Sequence, residues 1–175
     1  VTIKGGGKIV RGIANACIKA WDGAHLTVAD ITLDGASFSS ANSMIEAVKS
    51  DIILDDGCVI KNCTKSGTNP SVECDFGDGI KRNGGGGGAA LFLQYGSAVF
   101  NDIVLENNQA PSHGGATFIR NSELRVNGGT YKNNKVTSSP WGGSCLYNVT
   151  SKFYIYGGRF IDNSSTAKGG SILIC

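Results

Sequence analysis

Residues Gly114 to Asn134 read GGATFIRNSELRVNGGTYKNN, and this stretch decides the fold. A Gly-Gly-Ala element opens it, and the tetrapeptide Tyr131-Lys-Asn-Asn134 closes it. Between them, the run Leu124-Arg-Val126 alternates apolar and polar residues, as a half-buried β-strand does. No ten-residue window keeps a helical period here. The stretch therefore predicts short strands joined by tight turns.

Both elements recur along the chain with a period of about 27 residues. Pairs of glycines followed by Ala or Ser begin at residues 87, 114, 142 and 169. An apolar residue followed three positions later by Asn occurs at Leu105–Asn108, Tyr131–Asn134 and Phe160–Asn163, with weaker copies at Ile60–Cys63 and Leu33–Ala36. Two independent markers that share one period indicate a repeat architecture.

The repeat predicts an all-β protein with the architecture of a right-handed parallel β-helix solenoid. We expect about five full coils of about 27 residues, with partial coils at both ends, in a single domain over residues 1–175. Each coil would pair with its neighbours about 4.8 Å away, and inward apolar side chains would form continuous columns. A propeller blade needs about 40 residues, so it fits less well.

One interval is longer than the others, since Ile60 and Leu105 are 45 residues apart. The extra residues fall at about 64–86, where a run of five glycines from Gly84 to Gly88 predicts an inserted, flexible surface loop. All three prolines lie between an Asn element and the next glycine pair. Proline has no backbone N–H to donate to a strand ladder, so it is rare inside sheets. These segments are predicted as loops, and Trp141 in one of them is a possible contact residue.

The interior is expected to contain a ladder of asparagine side chains formed by Asn108, Asn134 and Asn163. Asparagine tolerates the left-handed backbone conformation of a bend, and its amide can pair with the amides of adjacent coils. Six cysteines are present. Cys63 and Cys74 bracket a polar stretch and are candidates for a disulfide, and a bridge between Cys58 and Cys63 is the alternative.

Three glycosylation sequons begin at Asn62, Asn148 and Asn163. Asn148 is the preferred acceptor, because it is expected in a turn between strands. Asn62 ranks second, and Asn163 conflicts with its role in the ladder, since an inward amide cannot carry a glycan. The sequons and cysteines together predict an extracellular or cell-surface glycoprotein with disulfides.

The two repeated elements resemble the Gly-Gly-Ala and Phe-x-x-Asn repeats of chlamydial polymorphic outer-membrane proteins and their relatives. Phe160-Ile-Asp-Asn163 matches one motif, and Gly114-Gly-Ala116 and Gly169-Gly-Ser-Ile172 match the other. The resemblance covers residues 87–175 well. It implies a β-helical protein exposed on a cell surface, acting in adhesion or as a structural stalk. The sequons and the insertion depart from that pattern.

The leading functional hypothesis is a non-catalytic surface spacer, adhesin or fibre component, without cofactor or metal. Its partners would be neighbouring coils of a longer chain, further copies stacked end to end, or glycans and cell-surface proteins. A formal charge of +2 from scattered basic residues argues against nucleic acid, and no apolar run is long enough to insert into a membrane. The main alternative is a polysaccharide lyase or hydrolase, for which Glu73, Asp75 and Asp78 supply the best acidic group.

Overall fold

The structure is a computed structural model that describes residues 1–67, 69–75, 81–84, 87–138, 142–166 and 169–175; within 69–75 and 81–84 it describes the backbone. No helix occurs in these residues, and the strands stack in parallel with a spacing of about 27 residues over about six turns. The predicted parallel β-solenoid is therefore confirmed.

Four walls enclose the interior, and each wall collects equivalent strands from successive coils. Wall 1 consists of β2 (Ile18–Trp21), β5 (Ile45–Val48), β11 (Leu91–Gln94), β15 (Thr117–Arg120), β19 (Leu146–Val149) and β23 (Ile172–Ile174). Wall 2 consists of β6 (Asp51–Leu54), β12 (Ser97–Phe100), β16 (Glu123–Val126) and β20 (Lys152–Ile155). Wall 3 consists of β7 (Val59–Lys61), β13 (Val104–Glu106), β17 (Thr130–Lys132) and β21 (Arg159–Ile161).

Two long strands join walls 2 and 3 into one ten-stranded sheet. They are β1 (Thr2–Val10) and β3 (His25–Asp34), and β3 pairs with β6 through its first half and with β7 through its second. Wall 4 has two-residue strands, namely β4 (Ser39–Ser40), β8 (Thr64–Lys65), β14 (Gln109–Ala110), β18 (Lys135–Val136) and β22 (Ser164–Ser165).

The core consists of apolar columns that run along the solenoid axis. The apolar residues that lead the Asn elements lie on adjacent strands in register: Leu33, Ile60, Leu105, Tyr131 and Phe160. The first four are fully buried, and each such side chain contributes roughly 1.5–3 kcal/mol on burial. The sequence period therefore reflects stacking of equivalent side chains.

The glycine pairs stack in a register that differs from their order in the sequence. Gly88, Gly114, Gly143 and Gly169 are equivalent, with φ between +60° and +79°. In the sequence, Gly88 and Gly143 are the second glycines of their pairs, whereas Gly114 and Gly169 are the first. Aligning the coils on the first glycine of each pair therefore shifts every other coil by one residue. A Cβ atom at any of these glycines would approach the backbone carbonyl oxygen of the residue three positions later in the chain. The turn therefore requires glycine at this one position.

The insertion leaves the stack intact. Ile60 pairs directly with Leu105 and Asp51 with Ser97, so the coils before and after the insertion are neighbours. The insertion itself contains an antiparallel pair, β9 (Asn69–Asp75) and β10 (Lys81–Gly84), so part of the predicted loop forms a small two-stranded sheet. Pairing between β9 and β10 satisfies backbone groups that an irregular loop would leave to water.

Candidate interaction surface

The asparagine side chains form a hydrogen-bonded ladder inside the solenoid. The Asn134 Nδ2 donates to Leu105 O (2.9 Å) and to Asn163 Oδ1 (3.0 Å). Its Oδ1 accepts from the backbone N and the Nδ2 of Asn108, both at 3.1 Å. The ladder ends at Cys63, whose backbone N donates to Asn108 Oδ1 (3.1 Å). The interior at this corner is therefore polar, paired and inaccessible, which makes it structural.

The left-handed backbone conformation belongs to the residues that precede the ladder. Asn62, Asn107, Asn133 and Asp162 have φ between +50° and +55°, whereas the ladder residues that follow them do not have positive φ. The expectation that one asparagine serves both purposes is wrong. The turn reverses the chain at the outward residue, and the next side chain then points inward to pair with its equivalents.

The outer surface of wall 3 carries a column in which acidic and basic residues alternate. Asp34, Lys61, Glu106 and Lys132 occupy equivalent positions on successive coils. Lys132 Nζ lies 3.1 Å from Glu106 Oε1, and Lys8 Nζ lies 2.8 Å from Asp34 Oδ2. Opposite charges on adjacent strands favour this order of pairing. If a strand paired instead with the coil after its neighbour, two residues of like charge would lie side by side.

Wall 2 pairs its charges in a similar way. Asp51 accepts a hydrogen bond from Ser97 Oγ on the next coil (2.6 Å) and lies 3.2 Å from His25 Nδ1. Arg125 Nε donates to Glu123 Oε1 (2.8 Å). In these columns Asp51 and Glu123 each therefore contact a hydroxyl or a basic group.

The stability of the charged column is expected to depend on pH through Asp34. Burial raises the pKa of its carboxyl, but hydrogen bonds from Lys8, the backbone N of Ala36 and Asn62 outweigh burial and hold the pKa at about 2, below the ordinary 3.8. A pKa that folding lowers stabilises the protein above about pH 4, and this stabilisation disappears as the pH falls through 2. We expect Asp34→Asn to lower the free energy of unfolding at pH 7 by about 1–2 kcal/mol.

Urea unfolding at neutral and acidic pH checks this expectation. The difference between the wild type and Asp34→Asn should shrink steadily as the pH is lowered from about 4 towards 2. A difference that is the same at both ends of this range would show that the carboxylate charge is not responsible.

Along β11, β15 and β19, wall 1 differs from the other walls because nearly all of its outward side chains are buried too. Phe92, Phe118 and Tyr147 stack on successive coils with ring centroids 5.5 and 5.4 Å apart. His113 packs its ring edge-on against Phe118 and Tyr147, and burial lowers the pKa of His113. Wall 1 is therefore closed to a ligand along these coils.

An open groove of about 950 Å³ follows the corner between walls 1 and 2. It is lined by Tyr95, Gly96, Asn121, Ser122, Glu123, Thr150, Ser151, Lys152 and Cys175, and we call it the corner groove. Gly96 N donates to Ser122 Oγ, and Ser122 N donates to Ser151 Oγ, both at 3.1 Å, so the serine hydroxyls fix the floor. The ring of Tyr95 stands 44% exposed at one edge.

Exposed aromatic side chains continue from the corner groove onto wall 2. Tyr154 and Tyr156 lie parallel with ring centroids 6.4 Å apart, and the Arg125 guanidinium lies 5.1 Å from the Tyr154 ring. Aromatic faces beside polar side chains are suited to stacking on flat, partly polar ligands. The sequence patterns described above do not predict this surface. One sequence signal could have indicated it. In three successive coils, the residue directly after the wall 1 strand precedes a Gly or Ser and is aromatic or polar, namely Tyr95, Asn121 or Thr150.

The predicted contact residue Trp141 lies outside the described residues. So does the side chain of Cys74, and with it the proposed Cys63–Cys74 bridge. The alternative bridge is not formed, because Cys58 and Cys63 are both free and buried. They flank β7, whose three residues span about 10 Å, more than the Cα separation of about 7 Å that a disulfide allows. Burial raises the pKa of each thiol to about 12, so both are neutral.

The preferred glycosylation acceptor is buried. Asn148 lies within β19 and has no exposed surface, so the expectation that it occupies a turn is wrong. Its neighbours in the column are Ile119 and Ile174, which places the side chain in the core. Asn62 is half-buried in an outward turn, where its Nδ2 donates to Asp34 Oδ1 (3.1 Å). A glycan at Asn62 remains a prediction.

Comparisons with known proteins add no relative. No family model, curated protein or solved structure matches the chain. Within the described residues, no helix is long and apolar enough to cross a membrane. Over the same residues, no cluster of three or more His, Cys, Asp or Glu side chains has an arrangement that could hold a metal ion. The class of protein that the fold defines is a parallel β-solenoid.

Proposed function

We propose that this protein is a non-catalytic, extracellular or cell-surface β-solenoid that acts as a rigid spacer and adhesin. The observation that carries the proposal is the continuous pairing along the axis: backbone strands, the asparagine ladder and the charged columns each link one coil to the next. Such pairing favours a stiff rod whose outer corners are free for contact. The repeats that resemble those of polymorphic outer-membrane proteins support the same assignment.

The corner groove is the surface we assign to adhesion, and a glycan is the ligand its chemistry favours. Tyr95 offers an aromatic face, and Asn121, Thr150 and Lys152 offer polar groups along one edge of the stack. Because Tyr95, Asn121 and Thr150 come from successive coils, they are spaced along the axis at the strand separation of about 4.8 Å, and Lys152 lies beside Thr150 on the last of these coils. An extended oligosaccharide lying parallel to the axis would contact them in turn.

Binding to immobilised polysaccharides tests this function. We expect retention of the chain on at least one surface glycan, and a tenfold or greater loss of affinity in Tyr95→Ala and Lys152→Ala. Trp21→Ala is the matched control, because Trp21 is an equally exposed aromatic residue on wall 1 that does not line the corner groove. If Tyr95→Ala and Lys152→Ala bind as tightly as the wild type and Trp21→Ala, the corner groove is not the contact surface.

Two alternatives give different results with the same material. A polysaccharide lyase or hydrolase would release products from pectin, alginate or chondroitin, and loss of that turnover in Glu73→Gln or Asp75→Asn would overturn the non-catalytic assignment. A filament subunit would give particles larger than a monomer by light scattering, stacked through end strands that expose Val10, Ile155 and Ile174. Because the end strands expose apolar side chains and unpaired edges, we expect the isolated chain to aggregate or form filaments and to release no product; a monodisperse monomer would contradict end-to-end stacking.

A further inference from the structure

An arginine side chain is enclosed in the solenoid near the end of the asparagine ladder. Arg11 directly follows β1 and is only 2% exposed, although Val10 before it is 51% exposed and Ile13 after it is 68% exposed. The side chain of Arg11 therefore turns inward between two outward neighbours. Arginine is rarely buried in this way without partners, because its guanidinium keeps a positive charge and carries five N–H donors.

The neighbouring coils leave this interior corner to a long side chain. The ladder of amides ends at Cys63. On the coil before Cys63, the turn that follows Asp34 is Gly35-Ala36, whose largest side chain is a methyl group. The backbone N of Arg11 donates to Asp34 O (2.8 Å), which places Arg11 on the coil directly before that turn. Small residues thus stand where an amide would continue the ladder, and Arg11 enters the corner beside them.

The Arg11 guanidinium has no acceptor within the part of the chain that the structure describes. Its Nε, Nη1 and Nη2 atoms are all buried, and none of them has a hydrogen-bond partner there. The Asp34 carboxylate on the adjacent coil is engaged on the outer surface, where it contacts Lys8 and accepts from Asn62 Nδ2 and from the backbone N of Ala36. A buried charge with neither counter-charge nor acceptor strongly destabilises a fold.

The Cys63 thiol does not supply the missing negative charge. Burial raises the pKa of this thiol to about 12, and the positive charge of Arg11 acts in the opposite direction, since the guanidinium lies within electrostatic reach of the thiol. Because burial outweighs that charge, Cys63 is a neutral thiol at pH 7 and not a thiolate. The charge of Arg11 is therefore left for a group from outside the described chain to balance.

From these observations we propose that the solenoid binds one small monovalent anion, of the size of chloride, at the Arg11 guanidinium. The planar guanidinium offers several N–H groups to one acceptor, and an ionised acceptor strengthens those hydrogen bonds. One positive charge faces the site, so one negative charge balances it. Since Arg11 is enclosed, the site excludes phosphate and the carboxylate side chains of other molecules, which are larger than a halide ion.

The bound anion would stabilise the corner at which the amide ladder is missing. It would give the guanidinium the acceptor that Asn134 and Asn163 give to the amides of their own neighbours. A ligand that binds only the folded chain raises its stability by mass action. This proposal is independent of the glycan-binding function, because Arg11 does not line the corner groove.

Thermal unfolding of the full chain at low protein concentration tests the site, with sodium chloride compared against sodium gluconate at equal ionic strength. We expect Tm in about 0.3 M chloride to be higher than in gluconate by about 2–4 °C. Arg11→Met replaces the guanidinium with an apolar side chain of similar reach, and its Tm should differ between the two salts by less than about 1 °C. A wild type without a chloride effect, or an equal effect in Arg11→Met, would overturn the proposal.

Two further measurements keep the result specific. Arg159→Met is the matched control, because Arg159 is an exposed arginine on wall 3, and this variant should retain the whole chloride effect. Loss of the effect in Arg159→Met as well would assign it to surface charge and overturn the proposal. Crystals grown in sodium bromide need no variant, since anomalous scattering should place a bromide ion against the Arg11 guanidinium. Bromide found only elsewhere would overturn the proposal even if Arg11→Met fails to fold.

Discussion

Asn134→Ala is expected to lower the free energy of unfolding by about 3–5 kcal/mol, a large part of the stability of a single domain. Asn134 is fully buried at the centre of the ladder. Its removal takes the acceptor from the backbone N of Asn108 and the Asn134 Nδ2 donor from the Leu105 carbonyl, while the Asn163 amide oxygen keeps only the backbone N of residue 134. Each group stranded away from water costs about 1–3 kcal/mol.

Urea unfolding of Asn134→Ala beside Asn127→Ala isolates the effect of burial. Asn127 also takes part in an amide pair, since its Nδ2 donates to Asn101 Oδ1 (2.7 Å), but it is exposed on the outer corner. Water can replace that bond, so Asn127→Ala should change stability by less than about 1 kcal/mol. Similar losses in the two variants would contradict a stabilising role for the interior ladder.

Asn148→Leu is expected to raise the free energy of unfolding by about 1–3 kcal/mol. Both polar atoms of Asn148 are buried, and among the described residues neither has a hydrogen-bond partner. The equivalent positions on the two preceding coils are Leu93 and Ile119, so the column accepts an aliphatic side chain of this size. The substitution removes two unpaired polar atoms and extends the apolar column.

Thermal and urea unfolding measure this gain, and Asn148→Ala separates packing from polarity. If Leu is too large, Asn148→Leu loses stability while Asn148→Ala retains or gains it. Destabilisation by both variants would show that the amide is satisfied in the folded protein and would refute the prediction. Expression in a glycosylating host adds a second check, because the folded chain should carry no glycan at Asn148.

The fold was predictable because stacking makes equivalent residues recur in the sequence. Leu105, Tyr131 and Phe160 follow the period of the coils, and each lies on the one before it in the structure. The insertion was predictable for the same reason, since it changes the interval without changing the pairing of Ile60 with Leu105. Periodicity reports contacts between coils because every coil meets its neighbour in the same way.

The direction of individual side chains was harder to predict. Asn148 is predicted to lie in a turn between strands, yet it lies within β19, and the register of β19 with β15 turns its side chain inward. One residue decides between the two faces of a strand, so an error of one position reverses the prediction. The glycine pairs show the same sensitivity, since alternate pairs use different members at the left-handed turn.

The repeat of apolar, asparagine and glycine residues by itself determined that this chain forms stacked parallel coils of about 27 residues with one insertion. Only the tertiary structure decided which outward surfaces are open. It closed wall 1 over Phe92, Phe118 and Tyr147 and left the corner groove exposed. The physical reason is that a period specifies neighbours along the axis, whereas exposure depends on how turns and loops from different coils pack across it.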